Sequence, residues 1–229
     1  MEIIPAILSR DFSEIEEKVA LIKGLSKIVQ IDICDGKFVP STTWPYRKTN
    51  EKIDENFEKI LHEDRGMPEW ETVNYEFDLM IENPTEDDAR KWLSAGAERI
   101  VLHFESSKDL NPVISVLGGL VEMGMGINVN TNPKELEKYV NKIQFIQCMG
   151  IRKIGFQGQD LDPSVVEKVK EIKAIYPGIE VSVDGGITLE NAVLLKHAGA
   201  DRLVIGSALF NDNDELNNIV DTYSKFKQI

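Results

Sequence analysis

The chain has 229 residues, 42% of them hydrophobic and 28% charged, which is enough apolar material for one sizeable core and matches the length of an undivided α/β barrel. With 39 acidic against 26 basic side chains the net charge is −13, which argues against nucleic acid or an anionic membrane as the main partner. The opening MEIIPAILSRDF lacks a basic start and a long apolar run, and no stretch is long enough to span a bilayer, so a cytoplasmic protein is expected.

Apolar runs of strand length alternate with segments of helical period. Strands are expected at Ile3–Leu8, Ile28–Ile33, Val73–Met80, Arg99–His103, Gly126–Val129, Ile143–Met149, Glu180–Val183 and Arg202–Ile205. Helical patterns fall at Phe12–Ile22, Glu86–Ala95, Pro112–Met123, Pro133–Val140, Val165–Tyr176 and Leu189–Ala198. Asp11, Asn83-Pro84, Asn132-Pro133, Asp162-Pro163 and Thr188 with Asn191 behind it read as helix starts. Ala-Gly-Ala at 95–97 and again at 198–200 places a glycine after a helix and before the next strand. Eight strands alternating with helices imply a parallel sheet closed into a single-domain (β/α)8 TIM barrel spanning 1–229. An open doubly wound sheet is the runner-up, but no Gly-x-Gly-x-x-Gly follows the first strand. Cys34 and Cys148 end predicted strands without metal-type spacing, so free buried thiols are expected.

In a barrel the strand C-termini build the site. Here they carry Ser9, then Gln30, Asp32 and Asp35, then Asp78 and Met80, then His103 and Glu105. Further on come Asn128, Asn130, Met149, Asp184, Gly206 and Ser207. Alternation puts Gln30, Asp32 and Cys34 on one side, facing the axis, while Ile31, Ile33 and Leu79 pack outward. Asp32 in QIDICDGKFVP and Asp184 in SVDGGI each follow an apolar run and precede a glycine loop. That setting suits an acid and base facing each other across a substrate, although for either motif alone an Asp that merely caps a turn is the favoured reading, and the surroundings shift the balance. His103 reads equally as a hydrogen-bonded core histidine, and Met80 and Met149 equally as core packing. Three late loops, GFQGQD at 155–160, DGG at 184–186 and GSALF at 206–210, together form a phosphate cradle in the usual barrel position.

Taken together, PAILSRDF, IDICDGKFVP, DLMIENP, VLHFE, the GFQGQ loop, SVDGGI and GADRLVIGSALF resemble the ribulose-phosphate 3-epimerase family nearly end to end. The resemblance implies a ketopentose phosphate substrate and a metal-assisted epimerisation at C3 through an enediolate, with Asp32 and Asp184 as the acid/base pair. It implies phosphate contacts at Gly158, Gln159, Gly185, Gly186, Gly206 and Ser207, and substrate contacts at Ser9, Met80 and Met149, with Cys34 where the family has a third methionine. It also implies association of like subunits, for which Phe38, Trp44 and Phe210 are the interface candidates.

Two departures stand out. The family's two metal-ligand histidines correspond to Gln30 and Asp78, so the implied metal set is Gln30, Asp32, Asp78 and Asp184. An all-oxygen set favours magnesium or manganese over zinc or iron, and no organic cofactor is implied. The segment at 41–72 is longer than the family's and carries Trp44-Pro45-Tyr46-Arg47, read as a lid or an extra anion contact, followed by a charged, solvated helix at 50–65. Three functions follow: a phosphosugar epimerase with an oxygen-ligated metal, a different phosphosugar isomerase or lyase, and a non-catalytic phosphosugar-binding barrel.

Overall fold

The computed structural model describes residues 1–46, 53–210 and 216–229. Eight parallel strands close in sequence order: β1 (Glu2–Ile7), β2 (Ile28–Cys34), β3 (Asn74–Met80), β4 (Ala97–His103), β5 (Glu122–Ile127), β6 (Phe145–Met149), β7 (Glu180–Asp184) and β8 (Arg202–Ile205), which pairs back onto β1. Helices α1 (Phe12–Ile22), α2 (Glu55–Leu61), α3 (Glu86–Ser94), α4 (Asn111–Leu117), α5 (Ser164–Ile175), α6 (Leu189–Ala198) and α7 (Leu216–Gln228) lie between and after them. Ile31, Ile33 and Leu79 point outward into one continuous apolar layer with Phe12, Ile15 and Val19 of α1. Among the described residues no helix is long and apolar enough to cross a membrane.

Several boundaries are chemically set. Thr188 and Asn191 form the expected reciprocal cap on α6, and Gly199 ends that helix in the left-handed region at φ 106°. The start expected at Asn83-Pro84 falls instead at Thr85, which caps α3 with Asp88. The helix expected to run to Met123 stops at Leu117, because Gly118 caps it and Gly119 turns away at φ 77°. This frees Glu122 to Ile127 for β5, four residues earlier than its apolar run suggests. Pro133–Lys138 is a 3-10 helix and not an α-helix. Pro133, Leu136 and Tyr139 are all buried at intervals of three, the repeat that a three-residue turn places on one line.

The 41–72 segment also differs from expectation. Trp44 is 1% exposed and packs in an aromatic cluster with Phe12, Phe57 and Trp92, its indole N–H donating to Asp54, so it forms neither a lid nor an interface. Arg47 lies outside the described residues. Within the charged stretch, α2 buries Phe57 and Ile60 against the barrel, and Arg65 reaches back to Glu16 and over the Phe12 ring. Phe210 is buried as well.

Below the mouth, the bore holds Glu76 of β3 ion-paired with Arg202 of β8; both are essentially unexposed, and the guanidinium lies 3.9 Å over the Phe145 ring. Burial raises the Glu76 carboxyl, opposed by Arg202. Removing one partner of such a pair leaves an uncompensated buried charge. Arg202→Ala is expected to cost about 3–5 kcal/mol in urea unfolding, whereas the double replacement Glu76→Met with Arg202→Met costs far less.

Candidate active site

Strand register sets out the site in layers. Asp32 lies opposite Asp78 and Cys34 opposite Met80 across β2 and β3, and Met149 lies opposite Asp184 across β6 and β7. As a result three carboxylates, from Asp32, Asp78 and Asp184, converge at the axis, each offering an oxygen within 4.8 Å of the others. All three are buried, as are the polar groups that touch them. Gln30 Nε2 donates to Asp32 Oδ1 and to Asp184 Oδ2, each at 2.8 Å. Gln147 Nε2 donates to Asp184 Oδ2 at 3.1 Å and to Asp78 Oδ2 at 3.4 Å. The His103 ring meets Asp78 Oδ1 through Nε2 at 2.8 Å, in a position that only a glycine at 126 leaves open.

The electrostatics follow from crowding like charges out of water. Asp32 is held well above the usual carboxylate range by burial first, then by Asp184 and Asp78. Asp184 is pushed up to about 7 by burial and by Asp78. Burial works to lower His103, but the Asp78 carboxylate outweighs it and raises the imidazole. The cluster therefore keeps protons at pH values where ordinary carboxyls have lost them.

Above the carboxylates, the β2–α2 and β6–α5 loops meet. Val39 from the first joins Ile151 and Ile154 from the second, with Cys34, Met80 and Met149 beneath them, in an apolar roof that Phe38 flanks. Burial pushes the Cys34 thiol up to about 12, so it acts here as apolar wall, and Cys148 is likewise free and buried. Under the roof a cavity is lined by Asp32, Asp184, Met80 and Met149 on one side. Gly158, Gln159, Gly185, Gly186, Gly206 and Ser207 line the other. Gly186 is sterically required, since a Cβ there would lie 2.5 Å from the Leu161 backbone nitrogen, whereas a Cβ on Gly206 would meet the movable end of the Gln157 side chain at 2.4 Å. No lysine or arginine lines this cavity among the described residues.

Several of the other sequence candidates hydrogen-bond within their own loops. Ser9 is buried outside the cavity lining, its hydroxyl 2.5 Å from the Glu14 carboxylate and 2.9 Å from the Asp11 carbonyl. Asp35 accepts from the backbones of Phe38 and Glu82, tying the β2–α2 loop to the end of β3. Glu105 accepts from the Asn128 backbone and the Thr131 hydroxyl, and Asn130 is exposed. Gln159 spends its amide N–H groups on the carbonyls of Lys153 and Phe156, holding the loop's shape. Gln147 is the central group that the sequence reading missed. Its signal was a lone amide in the apolar run FIQCM, two residues before Met149 and so on the same strand face.

The cluster suits a hard divalent cation. It offers three carboxylates, and the buried side-chain oxygens of Gln30 and Gln147 have no hydrogen-bond partner among the described residues. Oxygen donors of this kind are the preference of a hard cation and not of a soft one.

A closed eight-stranded α/β barrel with acidic groups under glycine-rich loops at its strand C-termini defines a barrel enzyme of the TIM type. Solved structures share this fold: a 3-hexulose-6-phosphate synthase has TM-score 0.67 at 13% identity, covering 100% of this chain and 99% of that one. The orotidine 5'-phosphate decarboxylase of Pyrococcus horikoshii OT3 has TM-score 0.66 at 16% identity, covering 99% and 100%. Within that class the chain belongs to the ribulose-phosphate 3 epimerase family, whose model matches residues 2–210. Ribulose-phosphate 3-epimerase of Aquifex aeolicus is 29% identical over 216 residues, 92% of this chain and 90% of the relative. That of Bacillus subtilis is 28% identical over 221 residues, 93% and 94%.

The raised carboxyls fix the sign of a pH effect. Between about pH 4 and about 7 the folded chain holds a proton at Asp184 that the unfolded chain has released, so cation-free protein loses stability as pH rises through that window. Asp184→Asn is expected to lose less stability than the wild type between about pH 4.5 and about pH 7.5, measured by urea unfolding with a chelator present.

Proposed function

We propose that the protein epimerises a ketopentose phosphate at C3, ribulose 5-phosphate in the first instance, by proton transfer between Asp32 and Asp184 through an enediolate. The observation that carries this reading is the pairing itself. Two carboxyls from strands on different sides of the bore face one cavity, are bridged by one Gln30 amide, and are both held above the usual carboxylate range by burial and by like charge. Such a pair accommodates one proton shared between two like groups, leaving one member ionised and the other loaded. The ionised carboxylate takes the C3 proton on one face, and the protonated partner returns a proton on the other; the reverse reaction exchanges their roles.

The glycine loops at 158, 185–186 and 206 with Ser207 take the phosphate, anchoring the substrate so that C3 lies over the carboxylates. Backbone groups and one hydroxyl bind the dianion there, which explains how an acidic cavity without lysine or arginine accepts it. Met80, Met149 and Cys34 give the reacting carbons a water-poor wall that strengthens every charge interaction nearby. Asp32, Asp78, Asp184 and Gln30 would hold a divalent cation, magnesium or manganese in preference to zinc or iron, whose contribution is positive charge beside the developing enediolate.

Metal-stripped protein given magnesium or manganese is expected to epimerise ribulose 5-phosphate in D2O with deuterium entering only at C3. Asp184→Asn is expected to lower kcat by about 10²–10⁴ while the fold persists. A shifted carbonyl or a cleaved carbon chain would assign the site to an isomerase or a lyase. Phosphosugar binding without turnover under any metal would make it a binding barrel.

A further inference from the structure

We propose that Gln147 is a ligand of the cation this site holds. Its terminal amide makes a half-turn that replaces the nitrogen with the oxygen at the same place, and Gln30 turns with it. The proposal rests on the reading above that the carboxylate cluster takes a divalent cation.

In the structure both amides present nitrogen to carboxylate. Gln30 Nε2 and Gln147 Nε2 each contact two carboxylates, at separations of 2.8, 2.8, 3.1 and 3.4 Å. Three of the four lie close to the spacing of neighbouring ligands around a small cation, since metal to oxygen distances of about 2.0–2.1 Å at right angles place adjacent oxygens roughly 2.9 Å apart. A cation held among these carboxylates would therefore meet the amide nitrogens, which cannot ligate it. Without positive charge the N–H groups belong there, because they satisfy acceptor-only carboxylates. With a cation at the centre they would be repelled, and the amide oxygen would be attracted.

A half-turn needs somewhere for the displaced N–H groups to go, and each glutamine has such a place. Gln30 is in register with Glu76 on β3, whose Oε1 is buried without a partner. Gln147 is in register with Ser182 on β7, whose hydroxyl is buried without a partner. The side-chain oxygens of the two glutamines are themselves unpartnered. One rotation in each residue therefore supplies a role for four buried polar atoms that otherwise carry a desolvation cost with no hydrogen bond. The two glutamines act as a matched pair: donors to the carboxylates as they stand, and oxygen ligands beside them when a cation is bound.

The test uses chelator-stripped full-length protein, with Mn2+ binding followed by calorimetric titration and by the rise in Tm on adding Mn2+. Gln147→Leu is expected to weaken Mn2+ binding at least tenfold, and Gln147→Glu to keep or tighten it. The glutamate variant should also show a larger Tm rise than the wild type, because a fourth carboxylate burdens its empty state. Unchanged affinity in Gln147→Leu would remove Gln147 from the ligand set and leave the three-aspartate site standing. Equal loss in the leucine and glutamate variants would show that the N–H matters and the oxygen does not, overturning the proposal. Absence of Mn2+ binding in the wild type would remove the metal reading and this proposal together. Ser182→Ala probes the half-turn without altering any ligand oxygen: binding weakened severalfold is expected, and unchanged binding would overturn the rotation.

Discussion

The structure is organised around one unfavourable act, the burial of three carboxylates at a single point on the barrel axis. Each loses water and gains two like neighbours, and either effect alone opposes ionisation. Everything adjacent reduces that cost by a different route. Two glutamine amides donate four hydrogen bonds, a buried imidazole faces Asp78, and the raised carboxyls retain protons. A proton relay and a cation site draw on the same physics, because both are ways to add positive charge where the fold has concentrated negative charge.

The parallel register turns this into a layered design. Cys34 with Met80 forms an apolar tier, Asp32 with Asp78 the acidic tier beneath it, and Gln30 with Glu76 the tier below that. On the opposite wall, Met149 stands beside Asp184, and Gln147 stands beside Ser182, which is in register with Arg202. Moving from the mouth into the bore, the lining passes from water-excluding, to titratable, to a tier in which the two amides lie level with the Glu76 and Arg202 ion pair. Only the top two tiers face the cavity that the glycine loops border.

The barrel was legible in the sequence because its two periodicities were clean: alternating strands such as QIDIC, and helices punctuated by caps at Thr188 and Gly199. Errors arose where one apolar run admitted two registers. Leu117, Leu120 and Met123 continue a helical stripe, yet the paired glycines at 118 and 119 break it and release the strand. At the site, the motif residues Asp32 and Asp184 were readable as strand-end acids, and the glycine loops as a set. The turn of the Ser9 side chain toward the first turn of α1 was not readable, since a sequence motif carries no direction. Gln147 was hidden for the opposite reason: it sits within a short apolar strand, and its importance comes from residues 37 and 69 positions away in the chain. Trp44 looked like a lid residue until packing with three other aromatic rings placed it in the core.

The Glu76 and Arg202 pair has a consequence beyond stability. It plugs the bore directly under the acidic tier, with the Phe145 ring stacked against the guanidinium, so the lower end of the barrel is closed to solvent. At the other end the Val39, Ile151 and Ile154 side chains pack together over the carboxylates. The acidic tier is therefore capped at both ends by different means, a charged plug below and an apolar lid of side chains above, and its carboxyls owe their raised affinity for protons to that double enclosure as much as to one another.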